Sequence, residues 1–564
     1  MSSDCAAPSS ASALDRKVDV TIVGAGPVGL SLAIELGTRG VSCMVVEQND
    51  RVGYNPRAKT TNARSREHMR RWGVAEKLRR ASPMPASYPS NIVFATRLNG
   101  PRLAGFQNAF NCSPEKNDLY SEGAQWVPQY VVEEVLREHA NSLPGVSVRF
   151  NQRFEGFERT GDGVKSDVVD LESREPYCVN SAYLIGADGA RSRVRELIGA
   201  RMHGDAGTTR NLNIVFRAPK LADLHPHGPA IHYWLVNDDV PALLGPMDGA
   251  GQWYFIATKI DPDVDPKAID CKDLIRRATG LDFDMEIVGI DPWIARSLIA
   301  DCYRQDRVFL AGDACHLHPP FGGFGMNMGI GDAVDLGWKL AAALQGWGGP
   351  VLLQSYELER RQVHERTIKE AAFNYSTLGN QLVRPGLEDK GELGEATRRE
   401  VRDLILATKN REFMTLGVVL GYRYANSPVI ASETGSPPPE NFMLYSPSSY
   451  PGCLAPHLWL EGGISLYDLF GQGFTLLATD READVSALIE AATRRGVPLK
   501  AIAPSDRRLS ARYGVRFALI RPDQHVAWRG DAVPDPDRLL DLVTGAAPHE
   551  EDPGVLRQRG DESL

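Results

Sequence analysis

Residues 18–23 (VDVTIV) form a short apolar run rich in β-branched side chains, and the run stops at a cluster of glycines. Helical spacing of apolar positions follows over 27–39. A second apolar run, 42–46, ends at Glu47. Strand, tight turn, helix and strand in that order predict a βαβ unit. Residues 146–184 hold several β-rich runs with a TGDG turn signal at 160–163, which predicts a meander. Segments 211–218, 230–237 and 253–260 read as strands of a second sheet. A helix is predicted over 336–344, and mostly helical structure over 351–425. Ser436-Pro437-Pro438-Pro439-Glu440 favours extended chain and marks a linker. A new α/β pattern then runs to about Gly545. The two ends, 1–16 and 549–564, are polar or small-residue segments expected to be a disordered leader and tail.

Composition narrows the class. The chain has 564 residues, 43% hydrophobic and 24% charged, so collagen, wholesale disorder and a multi-span membrane protein are excluded. Its length suggests roughly three or four domains at about 150 residues each. Acidic residues outnumber basic ones by 72 to 63, a net charge of −9, which argues against a nucleic-acid partner. No apolar stretch reaches about 18 residues, so no membrane span is expected. The N-terminus lacks the charged and apolar regions of a signal peptide. None of the eight cysteines has C-x-x-C spacing. That points to a reducing, cytoplasmic compartment.

The first chemical signal is Gly24-Ala-Gly26-Pro27-Val-Gly29, a G-x-G-x-x-G pattern between a strand and a helix. Gly24 permits the tight turn, Gly26 lets backbone approach a pyrophosphate, and Gly29 allows close packing of helix on strand. Free N–H groups at the helix start favour phosphate. Glu47 follows at about the spacing of a ribose-binding carboxylate. The alternative is a structural glycine turn beside a surface glutamate. No second such pattern and no redox C-x4-C exist, which disfavours a two-dinucleotide disulfide reductase.

Two further motifs follow apolar strands. One is Leu184-Ile-Gly186-Ala-Asp188-Gly189-Ala-Arg-Ser192-Arg-Val-Arg195. The other is Arg307-Val-Phe-Leu-Ala-Gly312-Asp313-Ala-Cys-His316-Leu-His318-Pro319-Pro320, running on into Phe321-Gly-Gly-Phe-Gly325-Met326-Asn327. With 24–29, these stretches resemble the GxGxxG, DG and GD motifs of class A (single-component) flavoprotein aromatic hydroxylases of the phenol hydroxylase and chlorophenol monooxygenase type. The motifs cover about 18–360, and overall organisation extends the resemblance to the C-terminus.

The resemblance implies an α/β fold with an α+β substrate domain. A Rossmann-like FAD-binding domain (17–90, 125–204 and 296–350) is interleaved with a β-sheet substrate domain (91–124 and 205–295). A helical extension (351–430), a linker (431–445) and a thioredoxin-like domain (446–548) follow. The last has only Cys453 where a redox thioredoxin needs C-x-x-C, so it is expected to be structural. The implied cofactor is FAD, held by Gly24, Gly26, Pro27, Gly29, Glu47, Arg57, Gln129, Asp188, Gly312 and Asp313, with Pro320 near its reacting face. Asp313 is placed for a ribityl hydroxyl. Backbone N–H groups of Gly325, Met326 and Asn327 can stabilise negative charge on the reduced ring. Asp188 can instead merely cap its helix, and Arg64, a second arginine near Arg57, can instead lie on a solvated helix face. His316 and His318 show no third ligand nearby, and no metal is expected.

The implied chemistry is ordered. NADPH or NADH reduces FAD, O2 adds to give a C4a-hydroperoxide, and that electrophile hydroxylates a phenolic ring. Phenolate is the better nucleophile, so a nearby cation or base is expected. Candidates for direct action on substrate are Arg217, Tyr233, Tyr254 and Pro320. Strand alternation puts Tyr233 and Trp234 on opposite faces, of which one can meet the flavin. Other readings are a Baeyer–Villiger oxygenase acting on a cyclic or polycyclic ketone and a non-catalytic FAD-binding protein. A flavin-dependent halogenase is disfavoured because no W-x-W spacing exists. A homodimer is the family expectation.

Overall fold

β-Branched and aliphatic side chains at 20–23, 43–46 and 184–185 are almost entirely buried, and they build the central layer of the computed structural model. Residues 16–50, 58–208, 210–261, 264–376 and 381–546 are described. Arg57, nearly all of the leader and the whole tail lie outside them.

The central sheet has six strands, in the order Arg304–Gln305, Val308–Leu310, Tyr183–Gly186, Val20–Val23, Cys43–Val46 and Val146–Arg149. All but the first are parallel. Helix Pro27–Gly37 buries nearly every residue against this sheet and against helix Gly325–Leu344. A helix apolar all round belongs between layers rather than at the surface. The meander predicted over 146–184 forms as three antiparallel strands between Gln152 and Ser181. Its first and last runs join the central sheet instead.

The second sheet has seven strands drawn from two separate stretches of chain, Ile92–Phe106 and Arg210–Ile294. Its back face packs on helix Cys271–Thr279 through Leu212, Phe216, Tyr233 and Phe255. Its front face carries Phe94, Val215, Trp234 and Tyr254, and it packs against Phe321 and against Leu382, Ile405 and Phe413 of the helical segment. One side therefore has its own core. The other faces the loop of the third motif.

The C-terminal unit is a four-stranded mixed sheet, Leu499–Ile502, Phe474–Ala478, Phe517–Ile520 and Val526–Gly530. It shares a core with Trp338 and Trp347. No helix among the described residues is long and apolar enough to cross a membrane.

Candidate functional site

The ends of strands Val20–Val23, Tyr183–Gly186 and Val308–Leu310 meet at a cleft of about 710 Å³, a size suited to a cofactor-sized ligand. Glycine geometry shapes its floor. Gly24 has φ +104°, and a Cβ there would lie 2.4 Å from the Ala187 carbonyl oxygen. A Cβ on Gly29 would lie 1.9 Å from the Gly24 oxygen, so neither position takes a side chain. Gly26 differs: a Cβ there would meet nothing within 4 Å, because that face opens to the cleft. Helix Pro27–Gly37 starts at Gly26 with Pro27 in its first turn, no side-chain cap and no acidic residue there. Its free N–H groups and positive end point to where an anion would sit.

Carboxylates flank this floor. Glu47 accepts from the Ala25 N–H at 3.0 Å and the Asn49 N–H at 2.9 Å. Asp188 accepts from the Ser192 hydroxyl at 2.5 Å and the Arg193 N–H at 2.7 Å. It therefore caps the short helix after it while also lining the cleft. Burial raises its pKa, and these hydrogen bonds oppose that rise. Gln129 takes the Ala58 N–H at 3.1 Å and donates to Glu133 at 2.7 Å.

Gly312 has φ +63°, and its N–H donates to Asp332 Oδ2 at 3.0 Å. The turn places Asp313 in the cleft wall with His318, Pro319 and Pro320. Helix Gly325–Leu344 begins at the same wall, without a side-chain cap. Gly325 and Met326 line the cleft. The Asn327 side chain points elsewhere, donating to Thr60 O at 2.9 Å and accepting the Asn62 N–H at 2.9 Å. Only its backbone N–H is offered at the helix start.

Asp332, one turn further along, organises the layer beneath. Its Oδ1 accepts from Arg360 at 2.7 Å and lies 2.8 Å from His364 Nε2, while its Oδ2 lies 2.8 Å from His316 Nε2. Burial alone would raise its pKa, but His364, Arg360 and His316 hold it well below the usual range. Burial pushes His364 down to about 3, so the neutral ring donates to Asp332 and accepts from Tyr303. Cys315, His316 and Asp332 cluster within 4.8 Å. The Asp332 lone pairs are already engaged by four donors, so this group is a hydrogen-bond hub and not an open metal site. No sequence pattern announced the hub, because His364 and Arg360 lie on a separate helix.

Three expectations are corrected. Tyr233 packs on the back face, and its hydroxyl donates to Gly228 O at 2.6 Å, so alternation gives the front face to Trp234. Arg217 is exposed at the end of its strand, opposite Glu286, about 13 Å along the strand from Asn213, the partner of cleft-lining Asp291. Arg64 is no solvated side chain: it is buried, paired to Glu67 at 3.0 Å and donating to Asp523 O at 2.5 Å. Tyr254 does face front, but its hydroxyl donates to Ile231 O at 3.0 Å and burial holds its pKa well above 10. It offers a ring face, not a titrating group.

A glycine floor open at Gly26, two uncapped helix starts and a carboxylate at each side fit FAD. The family comparisons agree. Residues 17–371 match the FAD binding domain family, and residues 448–547 match the aromatic-ring hydroxylase C-terminal family. The chain belongs to the FAD-dependent aromatic-ring hydroxylases, which are monooxygenases. Tetracenomycin B2 monooxygenase-dioxygenase of Streptomyces olivaceus is 33% identical, over 94% of this chain and 98% of that protein. Aklavinone 12-hydroxylase of Streptomyces purpurascens is 32% identical with the same coverage. The rebeccamycin biosynthetic enzyme solved with reduced flavin superposes with a TM-score of 0.87 at 36% identity, covering 94% of this chain and 100% of that one.

Proposed function

We propose that this enzyme hydroxylates a phenolic ring of a polycyclic aromatic substrate, using FAD, NADPH or NADH as reductant, and O2. The observation that carries the reading is the aromatic front face of the seven-stranded sheet, directed at the loop that borders the FAD cleft. Trp234 lies 6.0 Å from Phe321, centroid to centroid, and Phe321 follows Pro320 in that loop. Trp126, His232 and Tyr254 continue the surface. A flat ring system stacks well on such a surface. The names of the relatives, among them aklavinone hydroxylases and a protein named for polyketide hydroxylation, support hydroxylation of an aromatic or polyketide substrate.

FAD, when bound, supplies the redox chemistry that activates O2. The chain supplies the rest. The Gly24–Gly29 turn, Glu47 and the start of helix Pro27–Gly37 would hold the dinucleotide. Asp313 and Gln129 would hold its sugar chain and ring, and the N–H groups of Gly325–Asn327 would face developing negative charge. Pro319 and Pro320 stiffen the loop between cofactor and substrate. Buried aromatic residues exclude water from the reacting face. The cysteines described are all free thiols, which suits a reducing cytoplasm.

The test is a panel of hydroxyanthraquinones, naphthols and simple phenols offered to the purified holoenzyme with NADH or NADPH. Expected is substrate-stimulated nicotinamide oxidation with O2 uptake and a product heavier by one oxygen atom. If no phenol accelerates nicotinamide loss, the reading fails. Ring cleavage of a ketone would replace it with the Baeyer–Villiger reading.

A further inference from the structure

A lysine outside the three motifs stands between the cofactor cleft and the aromatic sheet. Its chain neighbours are tied to the cofactor side. Ala58 lines the cleft, and Thr60 O accepts from Asn327 at 2.9 Å. The Lys59 carbonyl accepts the Val127 N–H at 2.8 Å, which pins the strand from its other edge. Held this way, the side chain crosses to the front face of the sheet, with Nζ 4.3 Å from the centre of the Tyr254 ring.

That ammonium group has an aromatic neighbour but no anion. Burial pushes it down to about 8, and no carboxylate offsets the cost. On the same face, the buried atoms His232 Nδ1 and Trp234 Nε1 lack a hydrogen-bond partner among the described residues. Burial, then the charge of Lys59, pushes His232 down to about 3, so its ring is neutral. Buried polar groups are nearly always satisfied, so unpaired polar atoms on one face of the sheet point to a polar ligand. A cation seated over an aromatic ring suits an anionic acceptor attached to a flat ring. The Tyr254 hydroxyl, tied to Ile231, cannot be that acceptor.

We propose that Lys59 is the substrate's counter-ion: its ammonium group binds the ionised ring hydroxyl of the phenolic substrate beside the Tyr254 ring. The inference rests on the phenol-hydroxylase reading above and names the residue that supplies its phenolate. A phenolate is more nucleophilic than the phenol, so a cation that favours ionisation also prepares the ring for attack. Neutralising this half-buried charge by binding offsets part of its desolvation cost.

The probe is alizarin, 1,2-dihydroxyanthraquinone, whose phenolate absorbs at longer wavelength than oxidised flavin. It is titrated into the oxidised holoenzyme without nicotinamide, at a pH where free alizarin is largely neutral. Expected in the wild type is binding with the red-shifted phenolate band. Lys59→Met should retain FAD and melt like the wild type, yet lose the phenolate band and bind about tenfold or more weakly, as for loss of a charge-assisted hydrogen bond. Lys59→Arg should restore the band. Absence of binding, binding without ionisation in the wild type, or an unchanged band in Lys59→Met overturns the proposal. So does equal competition by 2-naphthoate, which would assign the cation to a carboxylate. The two readings separate cleanly. Hydroxylation of phenols by a wild type that never ionises them sinks only the Lys59 role. Ionisation without nicotinamide oxidation for any phenol sinks only the hydroxylase.

Discussion

Asp313 and Asp332 flank the same turn and do different work. Asp313 is in the cleft wall, where a carboxylate can accept from a cofactor hydroxyl. Asp332 is wholly buried beneath it and fixes the Gly312 N–H, Arg360 and two histidines. The two aspartates predict different phenotypes. Asp313→Ala should weaken FAD retention by about tenfold or more, the worth of a hydrogen bond to a charged group, while the apoprotein melts normally. Asp332→Asn removes the counter-charge of Arg360 and should cost about 3–5 kcal/mol in apoprotein and holoprotein alike. Thermal melts with and without FAD distinguish them, and a normal melt for Asp332→Asn would remove its role as hub. Asp313 was legible in the sequence because its motif is contiguous. Asp332 was not, because its partners are 16 to 32 residues away and on different elements.

The strand–turn–helix element at 20–37 is governed by backbone clearance. The 1.9 Å approach to the Gly24 oxygen leaves no room for a methyl group at Gly29. Gly29→Ala should therefore move the helix off the strand and abolish FAD binding, whereas Gly26→Ala, whose face is open, should fold and lose only affinity. Flavin content and a melt of each variant decide this. A Gly29→Ala protein that holds FAD normally would show that the helix can shift at no cost. Periodicity found this element because turn, cap and apolar run are local. It missed much of the seven-stranded sheet, including strands Ile92–Ala95, Ala242–Pro246 and Glu286–Ile294. Strands Ile92–Ala95 and Ala242–Pro246 are buried on both faces, the edge strand Glu286–Ile294 exposes apolar Val288 and Ile290, and several strand pairs carry register shifts, so no apolar–polar alternation marks them.

Across the whole molecule the C-terminal unit is wired into the cofactor domain. Arg521 is buried and donates to Glu359 at 2.6 Å and to Asp335 at 2.9 Å, while Asp523, its neighbour in the same loop, accepts from it at 2.7 Å. Lys339 completes the network through Asp335 at 2.8 Å and Glu359 at 2.6 Å. The same loop touches helix Ala63–Arg71, through Arg64 and Gln524. Arg521→Met should leave three carboxylates underpaired and destabilise the full chain by about 3–5 kcal/mol. A shared melting transition should fall as one. Two separated transitions in the wild type would show instead that the units fold independently. The unit's single cysteine, Cys453, is buried and free.

The sequence by itself determined the cofactor and the class. Phosphate binding needs glycine, a helix start and a carboxylate at short fixed spacings, and such spacings survive in a one-dimensional pattern. Only the tertiary structure decided which side chains face the loop that borders the cofactor cleft. Tyr233 and Trp234 are adjacent in the chain and lie on opposite faces of one sheet. Arg217, a reasonable anion binder on paper, lies at an exposed strand end, while Lys59, which carries no motif, stands between cofactor and sheet. Its position follows from strand pairing between segments dozens of residues apart, and long-range pairing leaves no local signature.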